Sequence, residues 1–308
     1  MQPNKKGITR FNNINLREIV PFIHWTFFFM AWKLNGKYDD IQTVCDCSSC
    51  KMGWLQKFPA DERAKAEEAL KLYKDAREML QRFLEEKVLT INAMVGIFPA
   101  RSADDDIVIE SDSRQIRIPV LRQQTPSGDG FCYSLADFLK PEGDYLGVFA
   151  NTVLGVEEFA AGFENEDDMY HSILVKTLSD RLAEATAEWL HYKVRKEIWG
   201  YAPDEPLNIG EMFKTHYQGI RPAVGYPSLP DQSVIFILDK LIEFNKSGIR
   251  LTENGAMFPN ASVSGLMFDH PKSRYFNIGK IDENQFLDYA RRCGKEPEML
   301  RKWLAANL

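Results

Sequence analysis

The chain has 308 residues, 44% of them apolar and 27% charged, with a formal net charge of −6. That length supports a core that needs no staples, and the acidic balance without a basic patch excludes nucleic acid as a partner. Five cysteines, an odd number with no signal-peptide pattern ahead of them, argue against a disulfide framework and for a cytoplasmic protein.

In chain order, residues 1 to 13 are polar and expected to be loosely ordered. Asn15 to Leu34 is predicted to be helical and mostly buried. Its apolar run, Ile19 to Trp32, is interrupted by Pro21 and His24 and is too short to cross a membrane, so no membrane partner is expected. Asp61 to Lys87 has the clearest helical pattern. Asp61 is placed to cap it, and Ala69, Tyr73, Ala76, Leu80 and Phe83 recur at three- and four-residue spacing. Residues 1–95 therefore read as a helical arm on a body spanning 96–308, the whole forming a single domain. In that body Ile107–Ile109 and Ile116–Ile118 read as a hairpin, and Leu146 to Phe149 as a short strand. Glu166 to Trp199 reads as one long amphipathic helix with Met169, Ile173, Leu182, Ala185, Trp189 and Val194 on its apolar face, ended by Gly200. A helix near Ser233 to Asn245, strands at Val263–Phe268 and Tyr275–Ile278, and closing helices complete the chain. Few strands, without regular helix alternation, predict an α+β fold: a mainly antiparallel twisted sheet with long flanking helices.

The usual cofactor loops are missing. No Gly-x-Gly-x-x-Gly follows a strand, no Walker loop is present, and the five histidines show no metal-ligand spacing. Cys45-x-Cys47-x-x-Cys50 could hold zinc or an iron-sulfur cluster with one outside ligand, Cys132 or Cys293 being distant candidates. A Cys-rich loop without metal is the other reading. The most informative stretch is Arg221-Pro-Ala-Val-Gly-Tyr-Pro227. Two prolines keep it extended, Gly225 permits a close approach, Arg221 offers a donor fork for a carboxylate, and Tyr226 adds a ring with a polar tip. That set suits a zwitterionic ligand bearing an aromatic ring; a Pro-rich surface turn with a solvated Arg is the other reading of the same spacing.

Arg221 to Pro227 resembles the S-adenosylmethionine signature of the activation domain of cobalamin-dependent methionine synthase. Asp180 to His191, Trp199 to Pro203, Tyr217 to Ile220, Ala261 to Gly265, His270-Pro271, Asp288 to Arg292, Leu121 to Gln124 and Leu135 to Phe138 are similar to further segments of that family, in the same order. The likeness runs from about residue 14 to the end and is weakest over 39–58. It implies that Arg221 pairs with the methionyl carboxylate. Backbone around Ala223 and Gly225, with Tyr226, would take the adenosine end. Glu184 would lie near the ligand's positive charges, and Tyr275 and Phe276 would line the site. At position 24, where the family carries an Asp that contacts the ligand, this chain has His24.

The same resemblance implies a component of a methyltransferase and not a self-sufficient enzyme. It would hold S-adenosylmethionine for reductive remethylation of oxidised cobalamin, with a flavodoxin-like electron donor. No Asp-x-His-x-x-Gly corrinoid motif is present. The partner implied is thus a cobalamin-binding domain elsewhere, and the start Met1-Gln-Pro-Asn reads as that of a separate polypeptide. Two alternatives are a docking or scaffold homologue that has lost the ligand and a reactivator of another corrinoid methyltransferase. A freestanding methyltransferase lacks a general base in this sequence.

Overall fold

Ile91 to Phe98 is buried without a break. In the computed structural model, which describes every residue except 112 and 113, this stretch is the middle of a strand covered on both faces. The strands are β1 (Gly7–Phe11), β2 (Thr90–Ala103), β3 (Asp106–Ser111), β4 (Arg114–Pro119), β5 (Asp144–Leu154), β6 (Arg250–Leu251), β7 (Met257–Phe258) and β8 (Ser262–Met267). The helices are α1 (Leu16–Ile19), α2 (Trp25–Ala31), α3 (Ser48–Leu55), α4 (Arg63–Glu86), α5 (Val156–Asn165), α6 (Met169–Lys193), α7 (Ile209–Phe213), α8 (Ile235–Ile242), α9 (Glu283–Cys293) and α10 (Pro297–Arg301). The fold is α+β. Its main sheet runs β4-β3-β2-β5-β8, antiparallel throughout, and β6 and β7 form a separate ribbon.

β2 organises the sheet. One edge pairs with β5 from Thr90 to Ala100; the other is shared by β1 over Ala93–Ile97 and β3 over Ala100–Ala103. Its side chains alternate between two cores. Ile91, Ala93, Val95 and Ile97 join Phe149 and Val153 against α2, α4 and α6. Met94, Phe98 and Ala100 join Leu146, Val148 and Ala150 against α8, α9 and α10. Among the described residues no helix is long and apolar enough to cross a membrane.

Several expectations are corrected. Residues 7 to 11 are not loose: they supply the strand that the open edge of β2 requires where β3 does not reach. β2 and the ribbon β6–β7 were not anticipated. Asp61 does not cap α4, because the Pro59 carbonyl accepts the Glu62 and Arg63 amides at 3.0 and 3.1 Å and starts the turn at Glu62. The single helix expected over Glu166–Trp199 is interrupted. Asp167 adopts φ +59°, and Asp168 caps α6 through the His171 amide at 3.1 Å. Beyond Lys193 the helix widens into a π turn, Val194–Ile198. Met169 and Ile173 lie on the outer side of α6, 54% and 49% exposed. Tyr275–Ile278 forms no strand ladder. Its backbone is tied to Ser228 and Pro227, with Phe276 N donating to Ser228 Oγ and Ile278 N to Pro227 O. The hairpin, the strand at 262–267 and the helical pattern of α4 occur where the sequence placed them.

Candidate functional site

The signature segment is held against β8 like a further strand. Ile220 and Phe268 exchange backbone bonds at 3.1 and 3.0 Å, while Val224 N donates to Ser264 O and Leu266 N to Pro222 O. Ala223 and Gly265 therefore form a non-hydrogen-bonded pair, and the Ala223 amide and carbonyl point away from β8. The approach is close enough to require glycine. A Cβ at position 265 would meet Pro222 O at 2.2 Å. The chain then turns: Tyr226 N donates to Ala223 O at 3.2 Å, with Gly225 at φ +84°, a conformation that glycine reaches without strain. Tyr226 is thereby thrown back over α6.

α6 supplies the facing wall. Arg181, Glu184, Ala185 and Glu188 recur at i, i+3, i+4 and i+7 and so share one stripe. Asn151 of β5 anchors the helix to the sheet by donating to Ala183 O at 2.7 Å. Between the stripe and the signature lies a cleft of ≈ 730 Å³. Its walls include His24, Glu184, Arg221, Ala223, Tyr226, Tyr275 and Phe276. Gly225 shapes the turn and does not line the cleft.

Charges in the cleft are paired across it. Arg221 Nη2 donates to Glu188 Oε2 at 2.5 Å, and its backbone amide donates to the Tyr275 hydroxyl at 3.0 Å. Burial works against the guanidinium charge, but Glu188, Tyr275 and Tyr217 together outweigh it and hold Arg221 above its usual range. Arg221 Nε and Glu188 Oε1 are buried without partners among the described residues. The Tyr226 hydroxyl donates to Glu184, and burial together with that carboxylate raises the phenol. His24 packs between Phe27 and Phe213, ring centroids 4.6 and 4.3 Å away, and burial lowers its pKa below the ordinary 6.5.

Behind Glu188 sits a second polar layer. Arg195, carried by the π turn, makes a two-pronged pair with Glu205 at 2.6 and 2.7 Å and lies 4.0 Å from the Tyr217 ring centroid. His191 is fully buried beside it, 3.3 Å from the Tyr201 hydroxyl. Sequence reasoning missed Glu188, although its i+4 spacing from Glu184 placed it on the same stripe. Arg181 was legible in the same way. Phe213, on the five-residue α7, had no such signal.

The remaining similar segments are structural. Arg122 fastens the hairpin region by pairing with Asp137, which also closes a capping box with Ser134. Arg292 joins Asp288 to Asp106. The cysteine motif lies elsewhere, at the start of α3. Cys45, Cys47 and Cys50 are exposed, with all three sulfurs within 4.8 Å of one another. Cys132 and Cys293 do not join them, which removes both as the outside ligand. The Cys47 thiol, hydrogen-bonded to Cys45 and the Cys50 amide, is drawn down to about 7.

The family described as vitamin B12 dependent methionine synthase, activation domain, matches residues 15–294. Among solved structures, the MetH reactivation domain bound to AdoHcy is similar with a TM-score of 0.87 and 39% identity, over 100% of this chain and 92% of that one. With a signature held on β8, a charged cleft beneath it and a match over most of its length, this chain belongs to the vitamin B12 dependent methionine synthase activation domain family.

Proposed function

We propose that the cleft between α6 and Arg221–Pro227 binds S-adenosylmethionine and presents its methyl group to a cobalamin-binding domain of methionine synthase. The observation that carries this reading is the pair of buried, unpartnered polar atoms on opposite charges in one cleft, Arg221 Nε and Glu188 Oε1. A zwitterion completes both: its carboxylate meets the guanidinium, and its ammonium meets the acidic stripe. The volume lies within the roughly 300–1,000 Å³ range of small-molecule sites.

When bound, the ligand would supply an electrophilic sulfonium methyl to the partner's cobalamin, with the electron coming from a flavodoxin-like donor. The work of this chain is positional. Arg221, already fixed by Glu188 and Tyr275, meets the carboxylate with little side-chain freedom left to lose. The Ala223 amide and carbonyl, turned away from β8, together with Tyr226, Tyr275 and Phe276, receive the adenosine. Glu184 and Glu188 complement the positive charges. His24 borders the same cleft as a neutral group.

Calorimetric titration with S-adenosylmethionine tests the assignment. Saturable binding is expected, with Arg221→Ala at least about tenfold weaker through loss of a charge-assisted bond. Absence of binding by the intact chain, both alone and with a cobalamin-binding domain present, would leave a docking protein and reject the proposal.

A further inference from the structure

Residues 39–58 gather three thiols outside the cleft. Cys45 comes from an irregular loop whose only regular turn is Ile41–Thr43. Cys47 is the N-cap of α3, its sulfur accepting from the Cys50 amide at 3.3 Å, and Cys50 sits in the first helical turn. The Cys45 and Cys47 sulfurs are 3.0 Å apart. All three side chains face solvent, so none is there for packing.

We propose that Cys45, Cys47 and Cys50 form a trithiolate Zn²⁺ site. Tetrahedral zinc with Zn–S bonds of about 2.3 Å sets sulfurs about 3.8 Å apart, a value between the 3.0 Å that separates Cys45 from Cys47 and the 4.8 Å that encloses all three. Three thiolates select a borderline-soft cation over magnesium or calcium. A cubane iron-sulfur cluster puts each thiolate on a different iron and spreads the sulfurs more widely than the 4.8 Å that encloses these three, so the spacing suits a single ion, and among the described residues no further Cys, His, Asp or Glu joins the group. The fourth position is thus open to water or to a soft donor such as an external thiolate. Binding converts the thiols to thiolates and releases their protons to solvent.

The site would tie the loop to α3. That loop and helix reach the cleft through aromatic contacts: Trp54 of α3 lies 6.1 Å from Tyr38, and Tyr38 lies 5.2 Å from Phe29 of α2, the helix that His24 begins. Asp40 adds a clasp, accepting from Trp54 Nε1 at 2.6 Å. Metal loading would therefore order one wall of the cleft without entering it.

The test uses the full chain, purified under reducing conditions, incubated with Zn²⁺ and desalted. Elemental analysis is expected to find about one zinc per chain. Competition with a chromophoric chelator should show at least about tenfold weaker affinity for Cys47→Ser and no change for Cys132→Ser. Cobalt replacement should give the thiolate charge-transfer and intense visible bands of a tetrahedral sulfur site. A desalted wild-type chain without zinc overturns the proposal, as does equal retention by a variant with all three cysteines changed to serine. A thiol titration that finds two thiols locked as a disulfide despite reductant, with or without Zn²⁺, overturns it as well.

Discussion

His24 stands at the N-cap of α2 with its imidazole against Phe27 and Phe213. Burial lowers its pKa; Asp39 and Glu188 act to raise it, and Arg181 adds to the lowering. The ring is neutral near pH 7, and protonation below its depressed pKa would set a cation beside a cationic ligand. Affinity for S-adenosylmethionine is therefore expected to decline with acidification, by at most about tenfold per pH unit. His24→Asp should bind more tightly at neutral pH and lose that decline, which titrations at several pH values would reveal. A pH-independent affinity in the parent chain would show that His24 does not face the bound charge. At this scale the sequence was informative where a motif concentrated residues, as at Arg221, Gly225 and Tyr226. Glu188 escaped because a solvated helix glutamate and a buried one look alike until their partner is known.

Gly265 belongs to the element scale, since its missing side chain decides how near the signature segment comes to β8. In Gly265→Ala the new Cβ meets Pro222 O at 2.2 Å and Ala223 Cα at 2.7 Å, both backbone, so neither can swing aside. The expected cost is about 1–3 kcal/mol of stability together with weakened ligand binding, measured by urea denaturation and calorimetry. Unchanged values for both would show that the segment is free to move off the strand. Legibility at this scale followed the covering of each element. α4 has one face toward solvent, so its apolar residues repeat clearly. β2 is covered on both faces, which erases period-two alternation, and Gly96 and Pro99 read as breakers. β1 has no local signal because only the open edge of β2 makes it a strand. Tyr275–Ile278 has strand-like residues but spends its backbone bonds on Pro227 and Ser228.

For the molecule as a whole, His191 couples stability to pH. Burial lowers its pKa well below 6.5, with Arg195 and Arg221 adding to the effect. Below 6.5 the unfolded chain binds a proton that the folded chain refuses, so this contribution is present above that pH and lost as pH falls. The slope approaches about 1.4 kcal/mol per pH unit. Denaturation midpoints measured from about pH 5 to 7.5 should fall on acidification, and His191→Gln should flatten the curve while lowering its plateau. Parallel curves for the two proteins would refute the assignment. The two-core architecture was only partly legible: the α+β class follows from composition and spacing, whereas the division of β2 between two helical layers depends on pairings far apart in sequence.

The pairing of residues 220–224 with β8 has a consequence for how such a chain can change over time. β8 lies at the margin of the main sheet, and an uncovered margin invites other chains to add strands and aggregate. Here the cover is the very segment proposed to bind the ligand. A lineage that no longer needed the ligand could lose Arg221 or Tyr226 side chain by side chain, yet would keep the extended backbone of this segment to stay soluble. Selection against self-association thus preserves the scaffold of the site after selection for binding has ceased.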